Sequence, residues 1–264
     1  RNFHDHLTVT AAAVGEPART QLLAAMRPWI YQGTFHSLKL SASRQLQREL
    51  GLTPVIAHLT VDEPEESGIG ALRKLLRARQ QHELAATLGE TLPHLPRALA
   101  DAARLALSAR MQHRRYVSPS ASVALRLNTA QRTPSASRIT LSRQLEPILD
   151  WRIDPIEATS LRAFARYLQT HLRAEGLEWN AALLSGESTA PIANLDDARH
   201  AMGGACMGID PRSSVVDADL CLHDVRNLFI ASAAVFPSGS PQLPTLPLMA
   251  LTLRLAQHLH RLSR

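Results

Sequence analysis

Apolar positions change their period several times along this chain. Residues 6–14 (HLTVTAAAV) alternate loosely, 35–42 (FHSLKLSA) do so over a shorter run, and 54–61 (PVIAHLTV) are apolar or β-branched almost throughout. Each run is short and bounded by Gly, Pro or Ser, which predicts strands separated by turns. Residues 62–70 (DEPEESGIG) predict a loop. The period then becomes helical: in 71–82 (ALRKLLRARQQH) Leu72, Leu75 and Leu76 share one face of a basic helix, and a second helix is expected over 95–111. Residues 122–127 (SVALRL) alternate cleanly, a polar turn follows, and 139–141 (ITL) predict the strand that returns from it.

Residues 155–175 predict a helix, with Leu161, Phe164, Ala165, Leu168 and Leu172 at helical spacing and Pro155 tolerated in the first turn. The run 227–231 (NLFIA) predicts a strand buried on both faces. Last, 244–262 predict a helix with the stripe Leu248, Leu251, Leu255, Leu259 and Leu262, its prolines Pro244 and Pro247 in the first turn, where a missing N–H costs little. Strands paired first as hairpins, with helices interposed, imply an α+β fold: a mainly antiparallel sheet backed by helices.

Composition narrows the function. The chain has 264 residues, 45% hydrophobic and 20% charged, enough for one large or two medium domains with a real core. A formal charge of +6 is spread out, with basic residues recurring from Arg73 to Arg115. Aromatics make up only 4% of the chain, too few to interleave stacking rings with that charge, so a solvated helix surface is expected in place of a nucleic-acid interface. No apolar run is long enough to span a membrane. Two cysteines, Cys206 and Cys221, make no disulfide framework, and the cytoplasm is the expected compartment.

Candidate chemistry concentrates late. His200 precedes Met202-Gly203-Gly204, where two glycines allow a tight turn and close backbone approach. Histidine suits proton transfer because its ordinary pKa of about 6.5 is near working pH. The 12 histidines show no H-E-x-x-H and no pairing with cysteine at zinc spacing, so no metal site is expected. There is no G-x-S-x-G elbow. Gly68 and Gly70 form a G-x-G before a helix, but position 73 is Arg where a dinucleotide fingerprint needs its third glycine.

The order of motifs after His200 resembles the C-terminal end of the glucose-methanol-choline (GMC) family of flavin-dependent oxidoreductases. HAMGGACMGIDP, SVVD, NLFIA, VFPS and PTL stand in the family's order. The opening RNFHDHL is similar to the family's G-R-N-[FL]-x-D-H, and Pro134, Ser137, Arg138, Thr140, Leu141 and Ser142 keep the places of its middle hairpin, before an Asp150-Trp151 that matches its D-W strand. The resemblance implies a substrate domain over 1–190 and a catalytic segment over 191–264 that completes an FAD-binding α/β domain.

It further implies oxidation of an alcohol, sugar or polyol CH–OH group, with hydride passing to flavin N5 and His200 as the general base. Cofactor contacts are expected from Asn2, His6, Ser232, Ala233, Pro244 and Thr245. Ser232 stands where many relatives have Asp, and Cys206 where they often have Arg. Asp217 reads equally as a cofactor contact or a turn stabiliser, and His223 as structural. The main departure is Leu243, which occupies the place of the family's second catalytic residue, a His or Asn; leucine donates no hydrogen bond. Gln242, one residue earlier, carries an amide and is the candidate substitute. The family's dinucleotide fingerprint has no counterpart here, so the chain is expected to be the C-terminal half of the enzyme, binding FAD poorly by itself. The implied partners are the FAD-binding half, a small-molecule alcohol and an electron acceptor such as a quinone or cytochrome. The alternative is a family-derived binding or assembly module without chemistry.

Overall fold

The computed structural model describes residues 2–82, 89, 91–172, 177–179, 181–185, 192 and 194–263. Strand β1 (His6–Ala13) leads into helix α1 (Ala18–Met26), a two-stranded ribbon of β2 (Trp29–Tyr31) and β3 (Thr34–His36), strand β4 (Lys39–Ser41), helix α2 (Arg44–Leu50) and strand β5 (Val55–Asp62). Helices α3 (Gly68–Gln80) and α4 (Leu95–Leu107) come next, then β6 (Ser122–Ala130), the ribbon β7 (Arg138–Leu141) and β8 (Pro147–Asp150), and helix α5 (Pro155–Leu172). Short strands β9 (Glu178–Trp179) and β10 (Asp196–Asp197), the ribbon β11 (Cys221–Leu222) with β12 (Val225–Phe229), and helix α6 (Thr245–Leu262) complete the order.

The main sheet runs β10-β1-β6-β5-β4, with β9 added on β1, and every pairing is antiparallel. This is the α+β architecture that the periodicity predicts. Helix α5 covers one face: Leu161, Phe164, Ala165 and Leu168 pack on Val55, Ala57, Leu125 and Leu127. Helix α1 packs Ala18, Leu22 and Met26 against Val14 and Val123 at the end of the sheet. A third, smaller core of Val216, Leu220, Val235 and Leu255 holds the C-terminal segment together. Among the described residues no helix is long and apolar enough to cross a membrane.

Several expectations change. The run 35–42 breaks at Ser37-Leu38 into β3 and β4, which join different sheets. The loop expected over 62–70 gives way earlier: Ser67 caps α3 by accepting the Gly70 N–H at 2.9 Å, so the helix starts at Gly68. Its G-x-G serves helix packing, since a Cβ at Gly68 would stand 2.4 Å from the Arg97 carbonyl of α4, and one at Gly70 would stand 2.2 Å from that of Pro64. The expected hairpin between 122–127 and 139–141 does not form. β6 is buried between β1 and β5, and β7 pairs instead with β8, a ribbon that leaves Ile139 and Leu149 exposed. β8 ends at Asp150, and Trp151 leaves it to donate its indole N–H to Gln131 at 2.8 Å. Helix α5 is described to Leu172, and 173–176 lie outside the described residues. α1 and α2 form where the pattern predicts no element. β12 is exposed from Val225 to Leu228, against the expected double burial: β11 alone pairs with it, and only its last residue, Phe229, packs on the core with Leu255 and stands beside His258 of α6.

Candidate active site

Two distant segments make the site by pairing as short strands. His4 donates its N–H to the Met202 carbonyl (2.9 Å) and accepts from the Met202 N–H (2.8 Å), while Ala198 donates to the His6 carbonyl (3.0 Å). His200 is thereby carried alongside Asp5 and His6. Its turn continues onto the segment after β12: Gly203, Ala205 and Met207 donate to the carbonyls of Ala233, Ala234 and Val235. Gly203 has φ +75° and presses on the opening segment, where an added Cβ would lie 1.9 Å from the Asn2 carbonyl oxygen. The tight turn expected at these glycines is therefore present, and at Gly203 a side chain is excluded by contact as well as by φ.

Asp5 is the hub. Its carboxylate accepts the His6 N–H at 2.6 Å and the His200 N–H at 3.1 Å to each oxygen. It is buried, and burial raises its carboxyl pKa against the lowering effect of those two backbone bonds. Its own N–H donates to Gln131 (2.8 Å), which also accepts from Trp151. Glu157 of α5 completes this buried set: it accepts the N–H groups of Arg132 and Asp154 at 2.8 and 2.9 Å, and burial raises its pKa. A buried polar network so fully bonded fixes one arrangement of the chain.

Two buried rings flank the hub. His4 shares a hydrogen bond of 2.9 Å between its Nδ1 and the Asn2 carbonyl, and His6 one of 3.0 Å between its Nδ1 and the Ser240 carbonyl. A carbonyl only accepts, so both Nδ1 atoms carry the proton and both Nε2 atoms carry a lone pair. Burial lowers both pKa values, which keeps the rings neutral. His4 Nε2, His6 Nε2 and His200 Nδ1 are buried and have no hydrogen-bond partner among the described residues. The rings of His6 and His200 stand 4.6 Å apart at 45°. One potential ligand atom each from Asp5, His6 and His200 lies within 4.8 Å of the others. The histidine spacing in the sequence did not reveal that grouping.

The other expected residues take varied places. Asn2, with φ +64°, ties three segments: its amide donates to Cys206 Sγ and to the Pro237 carbonyl (3.0 Å) and accepts the Ser135 N–H (2.7 Å). Ser232 caps the short turn Ala233–Val235, its hydroxyl accepting the Ala234 N–H at 3.2 Å. Pro244 precedes Thr245 at the start of α6, an end without any side-chain cap. Gln242 shares the loop of Ser240 but turns its carbonyl to Lys39 of β4, at 2.8 Å. Leu243 is 57% exposed. Asp217 accepts from the N–H groups of Asp219 and Cys221, a turn role, and His223 bonds the Ser214 hydroxyl. Asp5 and Lys39 were not singled out from the sequence; His4 was read there only with His6, as two histidines on one face of an extended segment without a third ligand. Asp5 had a signal there, as the acidic neighbour of His6 in RNFHDHL.

Residues 133–252 match the C-terminal family model described as GMC oxidoreductase. Over 57 residues the chain is 47% identical to the fructose dehydrogenase large subunit of Gluconobacter japonicus, covering 22% of this chain and 10% of that protein. Over 131 residues it is 28% identical to the gluconate 2-dehydrogenase flavoprotein of Pantoea cypripedii, covering 48% and 20%. Among solved structures it is similar to a pyridoxine 4-oxidase from Mesorbium loti, with TM-score 0.49 and 13% identity over 98% of this chain and 43% of that one. A Chaetomium thermophilum FAD-dependent oxidoreductase gives TM-score 0.49 and 17% identity over 100% and 48%. The chain spans less than half the length of either solved structure.

Proposed function

We propose that this chain, whose residues 133–252 are a GMC oxidoreductase segment, supplies the substrate side and the proton acceptor of an FAD-dependent enzyme that oxidises a CH–OH group of a sugar, polyol or related alcohol. The observation that carries the reading is the double hydrogen bond from the His200 N–H to the Asp5 carboxylate, which fixes a half-buried histidine on a rigid strand pair. The names of two partly matching relatives, a fructose and a gluconate dehydrogenase, support the substrate class.

The residues present fit a flavin. At the site His4 Nε2, His6 Nε2 and His200 Nδ1 are buried with no hydrogen-bond partner among the described residues, the N-terminus of α6 has no side-chain cap, and Leu246 and Met249 of that helix are exposed apolar side chains. Ser232, Ala233, Pro244 and Thr245 would hold the cofactor, and the free N–H groups and positive end of α6 would favour negative charge on it. When bound, FAD supplies the hydride acceptor. His200 takes the proton of the substrate hydroxyl; Asp5 holds its backbone, and Asn2 and Gly203 hold the turn behind it. Residues 1–190 form the substrate side and 191–264 the flavin side; a quinone or cytochrome would take the electrons onward.

The test is the flavin spectrum of the intact enzyme with a panel of sugars and polyols, repeated for His200→Ala. An alcohol should bleach the flavin, and the substitution should slow this about 10²-fold or more. Leu243, at the place of a catalytic His or Asn, favours a second reading, a binding module without chemistry. Flavin that binds and is reduced by no alcohol would support that reading, and absence of flavin would end the first.

A further inference from the structure

We propose that His6 is a positioning residue that sets the tautomer of His200, its Nε2 lone pair taking the Nδ1–H of His200 so that His200 Nε2 is left unprotonated. Which nitrogen of a histidine bears the proton is decided by the bond the other nitrogen makes. His6 has that decision made for it, because its Nδ1 faces the Ser240 carbonyl at 3.0 Å and must donate. Its Nε2 is then an acceptor, wholly buried and without a donor among the described residues. His200 presents the complementary fault: a buried Nδ1 without a partner among the described residues, on a ring 4.6 Å away. Leaving both groups unpaired in the interior is unfavourable, because each has lost its hydrogen bond to water without gaining another. Rotation of the His200 ring, whose backbone Asp5 fixes, toward His6 would pair them and satisfy both groups at once.

The chain of contacts then reads Ser240 carbonyl, His6, His200, open side. The role rests on the reading of His200 as base: the substrate O–H proton arrives at His200 Nε2, the resulting imidazolium keeps its Nδ1–H on His6, and the Asp5 carboxylate stands within 4.8 Å of both rings' ligand nitrogens. His6 touches no reacting atom in this arrangement. His4, whose Nδ1 is likewise fixed by the Asn2 carbonyl, lies against Gly203 and Gly239 and has no such counterpart among the described residues.

Solid-state ¹⁵N spectra of the intact, histidine-labelled enzyme test the assignment, with His200 identified by its loss in His200→Ala. Wild type should show His200 protonated at Nδ1 and bare at Nε2. His6→Leu, which removes the acceptor, should move the proton to Nε2 and lower kcat about 10-fold or more with KM nearly unchanged. His6→Gln, whose amide oxygen replaces Nε2, should restore the wild-type tautomer and most of kcat. His200 protonated at Nε2 in wild type overturns the proposal, and this holds even if neither variant folds. Equal damage in folded His6→Gln and His6→Leu also overturns it, as does a stoichiometric divalent metal whose removal by chelation changes both rings' signals. If His200→Ala keeps full turnover while wild type still shows the Nδ1 tautomer, the base reading alone has failed.

Discussion

The N–H of His200 stands between the two carboxylate oxygens of Asp5, 3.1 Å from each, across 195 residues of sequence. The same carboxylate takes the His6 N–H at 2.6 Å. Removing it strands one buried and one half-buried donor, at a cost of roughly 1–3 kcal/mol for the buried one. Asp5→Ala should therefore lower the denaturation midpoint of the intact protein clearly and reduce turnover, whereas Asp5→Asn, which keeps one oxygen, should lose markedly less stability. Equal midpoints for Asp5→Ala and wild type would show that the clamp contributes nothing.

Gly203 gives a sharper expectation. Its φ of +75° disfavours a side chain, and a Cβ would meet the Asn2 oxygen at 1.9 Å and His4 Nδ1 at 2.7 Å. Both neighbours are tied down, Asn2 by its bonds to Cys206, Pro237 and Ser135, and His4 by its backbone pair with Met202 and its ring bond to the Asn2 carbonyl. Gly203→Ala should cost on the order of 3 kcal/mol, read as a drop in thermal midpoint and in flavin retention. Gly204, with φ +94° but open space around it, should tolerate alanine better. The reverse ranking would place the crowding elsewhere.

These two sites show what a sequence discloses and what it hides. β1, β5, β6 and α5 were legible because each buries a periodic face, Leu161 and Phe164 on Leu125 and Leu127 among others. Pairing was less legible: nothing local in SVALRL or ITL says that the first sits between β1 and β5 and the second pairs with β8. NLFIA shows that an apolar run states a preference for burial and not its fulfilment, since Leu228 is exposed. His200 was legible through a motif, and its partners Asp5 and His6 only as neighbours in another motif. Gln131 and Glu157 gave no signal, because a buried polar group is defined by its bonds and those cross the fold.

His58 predicts a pH dependence. It stands opposite Lys39 and Arg126 on β5, and burial first, then those two cations, lower its pKa to about 4. Unfolded histidine titrates near 6.5. Between these values the unfolded chain binds the extra proton, so the stability that His58 contributes is complete above pH 6.5 and is lost as pH falls toward 4. Burial acts in the same direction on His4 and His6. The thermal midpoint should fall between pH 7.5 and 5, and His58→Leu should shrink that fall. An identical fall in the variant would remove His58 from the account.

Leu243 and Gln242 separate the roles in the last loop. Leu243 is 57% exposed, so Leu243→Asn removes little packing and should leave the unfolding free energy within about 0.5 kcal/mol of wild type. An asparagine there offers the substrate oxygen an amide donor, and kcat/KM for the best alcohol should rise several-fold. Gln242 is bound to Lys39 through its carbonyl, at 2.8 Å, and its remaining N–H groups are the only ones it can offer. If that amide supports the reaction, Gln242→Leu should lower kcat while Lys39→Met, which frees the carbonyl, changes it far less. If both substitutions lower kcat alike, the loop position set by Lys39 is what matters. If neither does and Leu243→Asn raises it, His200 works without help in the native enzyme and the second polar group is dispensable rather than displaced.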